Sequence, residues 1–358
     1  MKNLWEITAD MSQLHNVNVQ RIEPLATPKE YQEKFPIPDE VAQFVAQGRD
    51  QIASILRGED DRLLLITGPC SLHDLDGAEE YLLRLKDIAE KYKDRLLIVM
   101  RVYFEKPRTT VGWKGLIYDP HLNGSSDITT GLTMAREFLI KVGKTGVLAA
   151  TEIVDPITPQ YIADLISWAA IGARTAESQT HRQMSSGLSM PVGFKNGTGG
   201  SIQLAVDGVV AARSNQAFIG VDENGRASMV VTAGNPNCHI VLRGGSNGPN
   251  FDSDSIADAS QRLGRRDLPT QLVVDCSHAN CNKDFKLQRV AFLDLLEQRV
   301  AGNGNIAGMM LESNLLEGNQ PLDENDPGSL QYGVSITDPC VGWDETVELI
   351  ETAYEMLG

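Results

Sequence analysis

From residue 62 onward the chain repeats one rhythm: a short, unbroken apolar run followed by a longer amphipathic stretch. The runs are LLLIT (63–67), LLIVMRV (96–102), VLAAT (147–151), AAIGA (169–173), PVGF (191–194), HIVL (239–242), LVVD (272–275) and IAGMML (306–311). An apolar run without polar alternation belongs to a strand covered on both faces, the pattern of a parallel sheet. The stretches between them, such as AEEYLLRLKDIAEKY (78–92) and KLQRVAFLDLLEQRV (286–300), space their apolar residues at helical intervals. Eight strand–helix units predict an α/β fold, a (β/α)8 TIM barrel. Such a barrel takes about 250 residues, so a chain of 358 carries additions.

Two additions stand out. Residues 1–60 precede the first run, and Pro24, Pro28, Pro36 and Pro38 predict turns and short extended pieces in that part. A helix follows, with Val41, Phe44, Val45, Ile52, Ile55 and Leu56 on one face and Arg57-Gly58 as its stop. The second addition spans 217–232, where AFIGV and ASMVVT flank Asp222-Glu223-Asn224-Gly225-Arg226. Asn-Gly between two β-rich runs predicts an inserted two-stranded β-ribbon. The expected organisation is an N-terminal regulatory or oligomerisation extension over 1–60 and a barrel over 61–358 that carries the hairpin.

Composition removes several function classes. Lys+Arg is 32 and Asp+Glu is 48, a formal charge of −16, which speaks against a nucleic-acid binder and against adsorption to anionic membranes. No apolar run reaches the roughly 18–20 residues of a membrane helix, and the N-terminus lacks the apolar core of a signal peptide. Five scattered cysteines, an odd number, do not form a disulfide framework, so a reducing cytoplasm is expected.

The strand ends carry the chemistry. After the eight runs come Cys70, Arg101, Glu152, Arg174, Lys195, Arg243, His278 and Glu312. In a barrel these positions form one ring at the C-terminal face, where the active sites of this fold lie. Four of the eight are cations, and Lys106, Arg108 and Lys114 follow closely in MRVYFEKPRTTVGWKG (100–115). An acidic chain that concentrates cations in this way is built for a polyanion, with Arg suited to carboxylate and phosphate. The alternative is local salt bridging to acids such as Glu105. Cys70, His278, Glu312 and Asp338 make a second set: one thiol, one imidazole and two carboxylates suit a divalent transition metal. Cys276 is expected to pack; Cys281 and Cys340 are expected to be structural, with a place near the metal as the alternative; His73 and His239 are expected to be satisfied locally.

The motifs GPCSLHD, MRVYFEKPRTTVGWKGL, IGARTAESQTHR, PVGFKNGT, HIVLRGG, CSHAN and ESNLLEGNQ resemble those of the type I 3-deoxy-D-arabino-heptulosonate 7-phosphate (DAHP) synthases, over about residues 20–345. The chain departs from the family's pattern at Gly199-Gly200 and in the longer SNGPNF (246–251). The resemblance implies condensation of phosphoenolpyruvate with erythrose 4-phosphate, the first step of the shikimate pathway. It implies one divalent metal ion (Mn, Fe, Co or Zn) held by Cys70, His278, Glu312 and Asp338. Phosphoenolpyruvate would meet Arg101, Lys106, Arg174, Lys195 and Arg243, and erythrose 4-phosphate Lys106, Arg108 and Thr109. Lys106 would act as proton donor, and Glu152 with Lys195 would position water. A homodimer or homotetramer is implied, together with an effector pocket at Pro159, Gln160, Ser189, Phe218, Gly220, Val230 and Asn16. Gly220, where phenylalanine-sensitive members carry serine, points to tyrosine as the effector, with phenylalanine the alternative. Rival readings are condensation on arabinose 5-phosphate, a metal-dependent aldolase, and a catalytically silent aromatic amino-acid sensor.

Overall fold

The computed structural model describes residues 14–358. In chain order the elements are α1 (Pro28–Lys34), α2 (Asp39–Leu56), β1 (Leu63–Gly68), α3 (Leu75–Lys91), β2 (Leu96–Arg101), α4 (Ile128–Thr145), β3 (Leu148–Glu152), α5 (Pro159–Ile162), β4 (Trp168–Ile171), α6 (Gln179–Ser185) and β5 (Val192–Lys195). There follow α7 (Ile202–Arg213), β6 (Gln216–Val221), β7 (Ala227–Thr232), β8 (Cys238–Leu242), α8 (Ser253–Gly264), β9 (Leu272–Asp275), α9 (Gln288–Val300), β10 (Ile306–Glu312) and α10 (Trp343–Met356). Eight strands close in the order β1-β2-β3-β4-β5-β8-β9-β10, every neighbouring pair parallel. Each is buried along its full length, which accounts for the unbroken apolar runs.

Alternate strand residues build two cores. Leu64, Ile66, Val99, Ala150, Trp168, Val241, Val273 and Met310 fill the barrel interior. Leu63, Leu65, Ile98, Ala149, Phe194 and Ile240 face the surrounding helices. Helix α2 sends Ile52, Ile55 and Leu56 into the interior cluster, and its Arg49 donates to the carbonyls of Ala163 and Ile166 ahead of β4. Residues 39–56 thus stop the end of the barrel opposite the strand C-termini.

The proline-rich stretch holds more structure than its punctuation suggests. Pro28 opens helix α1, and Thr27 and Glu30 cap it reciprocally: Thr27 Oγ1 accepts from Glu30 N while a Glu30 carboxylate oxygen accepts from Thr27 N. Proline at the first helical position lacks only an N–H that would go unpaired, so it starts a helix as readily as it breaks one. The ribbon is where Asn-Gly placed it. β6 and β7 pair antiparallel, Gly225 takes φ 73°, and Asp222 Oδ1 accepts from Asn224 N and Arg226 N. Its burial alternates, unlike that of the barrel strands. Ser186 Oγ against Thr232 Oγ1 (2.5 Å) ties it to the barrel, and Lys29 N donates to Glu223 O from helix α1.

Trp168 is the largest fully buried side chain of the barrel, and its Nε1–H donates to His239 Nε2 (3.1 Å). Burial pushes the His239 pKa down to about 4, so the imidazole stays neutral and accepts. His73 differs from expectation: its Nδ1 is buried without a partner. Gly193 makes the room for Trp168, because a Cβ there would lie 2.7 Å from the indole Cζ2 and 2.6 Å from Val241 Cγ2. Gly193→Ala is expected to lower unfolding stability by about 1–3 kcal/mol through overpacking. Chemical denaturation measures this, and an unchanged midpoint would show that the interior can repack.

Candidate active site

The strand C-termini gather the ring side chains around one cleft. Lys106, Arg108, Glu152, Arg174, Lys195, Arg243, His278 and Asp338 line it, together with Pro107, Gly172, Ala173, Lys283 and Thr337. Larger cavities exist beneath the barrel and beside α1 and α2, but neither collects charge in this way.

Arg101 closes β2 and is fully buried. Its Nη2 donates to Glu312 Oε1 (3.0 Å), its Nε to Pro69 O (3.3 Å), and its guanidinium stacks 3.9 Å from the Tyr103 ring centroid. Its Nη1 and the Tyr103 hydroxyl are buried without partners. A native fold rarely leaves two such donors unmet, so these await a ligand or ordered water. Lys195, ending β5, lies 3.1 Å from Asp275 and 3.8 Å from Glu152. Burial works against its charge, but Asp275, Tyr103 and Glu152 outweigh this and raise its pKa. Gly172 lies against Glu152, where a Cβ would collide with Oε1.

Arg174 donates from Nε to Thr109 Oγ1 (2.9 Å), so the loop after β4 meets the loop after β2. Arg108 Nε donates to Trp113 O within that second loop. Arg243 follows β8, and its backbone N–H donates to Asn196 Oδ1 (2.8 Å). Asn196 belongs to a buried chain of three asparagines. Asn250 Nδ2 donates to Asn196 Oδ1, and Asn250 N donates to Asn280 Oδ1. Asn250 lies in the SNGPNF stretch and links the loops after β5, β8 and β9.

The second set converges beside the cations. Ligand-capable atoms of Cys70, Glu312 and Asp338 lie within 4.8 Å of one another. His278 falls outside that mutual limit, but its Nε2 is 3.8 Å from Glu312 Oε1. It holds φ 58° at the start of a tight loop, a left-handed conformation uncommon for a side chain of this size. Lys106 Nζ is 3.1 Å from both Cys70 O and Cys70 Sγ. Burial, then Glu312, pushes the Cys70 thiol up to about 11, against the pull of Lys106. Burial opposes the charge of Lys106 as well, yet Cys70, Glu312, Glu152 and Asp338 hold it above the usual ammonium range. Asp338 is held below the usual carboxylate range: burial raises it, and Lys106, His278, Lys283 and Arg108 more than reverse that. A soft thiol, an imidazole and two carboxylates in this arrangement fit a divalent transition ion, which would displace the thiol proton.

Glu105 does not serve as the local counter-ion suggested by its place in the sequence. Its buried carboxylate accepts from Val154 N, Asp155 N and Thr158 Oγ1. Burial dominates those contacts and moves its pKa up to about 8. Sequence reasoning also passed over Asp275 and Tyr103. The signal for Asp275 was present, as an acid ending the apolar run LVVD. The five cysteines are all buried free thiols.

The residues expected to form an effector pocket fall into two groups. Pro159, Gln160 and Ser189 line a cavity of about 480 Å³ with Gln32, Ile37 and Arg49. Phe218, Gly220 and Val230 share the inner face of the ribbon, where a Cβ on Gly220 would lie 2.8 Å from Val230 Cγ2. The groups adjoin at Gly187, which lines the cavity and packs against Thr232. Asn16 lies on an exposed turn with φ 58°. Among the described residues, no helix is long and apolar enough to cross a membrane.

Known proteins share this architecture and sequence. The family model described as the DAHP synthetase I family matches residues 34–351. The Trp-sensitive phospho-2-dehydro-3-deoxyheptonate aldolase of Shigella flexneri is 51% identical over 95% of this chain and 97% of its own. The Phe-sensitive enzyme of that name from Escherichia coli (strain K12) is 50% identical over 94% of this chain and 95% of its own. A solved structure, the phospho-2-dehydro-3-deoxyheptonate aldolase of Francisella tularensis SCHU S4, superimposes with a TM-score of 0.92 at 43% identity, covering 95% of this chain and 98% of its own. With a family match over nearly its whole length and relatives at half identity, the chain belongs to the DAHP synthetase I family.

Proposed function

We propose that this chain condenses phosphoenolpyruvate with erythrose 4-phosphate and water to give DAHP and inorganic phosphate, the first step of the shikimate pathway towards the aromatic amino acids. The carrying observation is the barrel mouth: strand-end cations beside a thiol–imidazole–carboxylate set, in a member of this family. Arg101, Lys106, Arg174, Lys195 and Arg243 would hold phosphoenolpyruvate, and the unpartnered Nη1 of Arg101 supports an anion there. Lys106, Arg108 and Thr109 would hold erythrose 4-phosphate. The Arg174–Thr109 hydrogen bond would make the two proposed subsites neighbours, so that entropy would be lost on binding rather than at the barrier.

The chemistry follows from these positions. C3 of phosphoenolpyruvate forms the new C–C bond to the aldehyde carbon, and Lys106 protonates the alkoxide. Water, placed by Glu152 with Lys195, adds to C2 and loses a proton. The C2–O bond then breaks and phosphate leaves. A divalent ion held by Cys70, His278, Glu312 and Asp338 would supply Lewis acidity.

Phosphate release from the two substrates, measured with and without chelator, tests this reading. Release is expected to vanish with chelator and return with Mn2+. Cys70→Ser, which exchanges a soft ligand for a hard one, should lower both metal content and turnover strongly in a folded protein. Near-normal metal content and turnover in that variant would remove Cys70 from the set. Preference for arabinose 5-phosphate, or product without phosphate release, would overturn the reaction itself. Gly172→Ala, by displacing Glu152, should cut kcat about 10–100-fold, with little change in thermal midpoint. Unchanged kcat would detach Glu152 from the reaction.

We further infer that the 480 Å³ cavity and the adjoining ribbon face receive an aromatic amino acid that inhibits the enzyme. The relatives' names record tryptophan and phenylalanine sensitivity; Gly220, which leaves room for a phenol hydroxyl, favours tyrosine here. An inhibitor must bind the less active state better and therefore weakens substrate binding reciprocally. The extension 1–60 would serve this regulation and subunit assembly. Ile219, Met229 and Val231 expose an apolar outer ribbon face suited to a homodimer or homotetramer contact. Tyrosine is expected to inhibit more than the other two amino acids, and Gly220→Ser to weaken that inhibition. Sensitivity to phenylalanine or tryptophan alone would overturn the tyrosine assignment and leave the synthase reading standing.

A further inference from the structure

The buried acid of the mouth that has no part in the scheme above is Asp275. It ends β9, is fully buried, and touches two functional groups at once. Its Oδ2 lies 3.1 Å from Lys195 Nζ and 2.9 Å from His278 Nδ1. Neither N–H is well aligned on that oxygen, so these are close polar contacts around one carboxylate oxygen rather than directed hydrogen bonds. Its Oδ1 is fixed separately, accepting from Ser277 N (3.0 Å) and Ser277 Oγ (2.5 Å). With its proton given to Asp275, the Ser277 hydroxyl offers a lone pair to His278 Nδ1 (2.7 Å).

Every group around His278 Nδ1 is therefore an acceptor. In the neutral imidazole the proton therefore sits on Nδ1, which leaves Nε2 bare on the side of Glu312, 3.8 Å away. A ligating imidazole needs that tautomer, and such outer partners fix ring orientation and raise ligand basicity. The same carboxylate holds the Lys195 ammonium in place, with Glu152 3.8 Å from it. We propose that Asp275 is a positioning residue shared by the metal ligand His278 and the substrate cation Lys195. It sets the tautomer of one and the place of the other, so metal occupancy and anion binding depend on a single buried charge. This deepens the synthase reading, but its first test needs no substrate.

That test titrates metal-free protein with Mn2+ in a chelator competition. Asp275→Asn keeps the shape and removes the charge, and Mn2+ affinity is expected to fall about 10–100-fold. Ser277→Ala, which leaves the carboxylate in place, should cost less. Equal Mn2+ affinity in a folded Asp275→Asn protein overturns the proposal. A second measurement uses the wild-type chain and so does not depend on the variant folding. Nitrogen-15 NMR of histidine-labelled, metal-free protein at pH 9, assigned with His278→Ala, should find the His278 proton on Nδ1. A bare Nδ1 overturns the proposal. Failure of the synthase reading would show instead as no phosphate release from phosphoenolpyruvate and erythrose 4-phosphate by wild-type enzyme, whatever the Mn2+ result.

Discussion

Cations gathered in a cleft repel one another, and a buried charge without a partner costs several kcal/mol after relaxation. The mouth of this barrel meets both demands by interleaving signs from different strands. Glu312 of β10 takes Arg101 of β2 at 3.0 Å; Asp275 of β9 takes Lys195 of β5, with Glu152 of β3 on the ammonium's other side. Each pair ties strands that are not neighbours in the sheet. Removing one member would leave its partner buried and uncompensated. The alternation therefore holds the site's geometry and offsets part of the cations' mutual repulsion, with the buried Nη1 of Arg101 left unpartnered.

Around those charges, neutral groups set the loops. The chain of Asn196, Asn250 and Asn280 links three strand-end loops by amide hydrogen bonds. Glu105 fastens the start of the loop bearing Lys106 and Arg108 to residues 154–158, just ahead of α5. This puts a buried contact between the loop bearing Lys106 and Arg108 and the segment leading into Pro159 and Gln160 of the side cavity. At the opposite end, Trp168, Gly193 and His239 pack the interior and α2 stops it, so the mouth stands on a solid base.

Much of this was legible in the residues. Unbroken apolar runs announced strands buried on both sides, and their C-terminal polar residues announced the ring, because strand direction in a barrel sends all eight ends to one face. The Asn-Gly turn marked the ribbon for a local reason, the positive φ that glycine accepts. What stayed hidden depends on partners distant in sequence. Glu105 reads as a counter-ion beside Lys106, and only the fold shows its carboxylate turned to backbone donors some fifty residues away. Asp275 reads as the tail of an apolar run until β5 brings Lys195 against it. Helix α1 is masked in the sequence because proline both breaks helices and starts them, and only the Thr27–Glu30 cap distinguishes the two.

The proposed reaction requires the two phosphorylated substrates and the ion to meet at the barrel mouth and nowhere else. A crystal structure of the protein grown with phosphoenolpyruvate and Mn2+ tests it directly. The account predicts the phosphate and carboxylate among Arg101, Arg174, Lys195 and Arg243, with the ion between Cys70, His278, Glu312 and Asp338. Phosphoenolpyruvate in the cavity beside α1 and α2, or an ion bound away from Cys70, would contradict it.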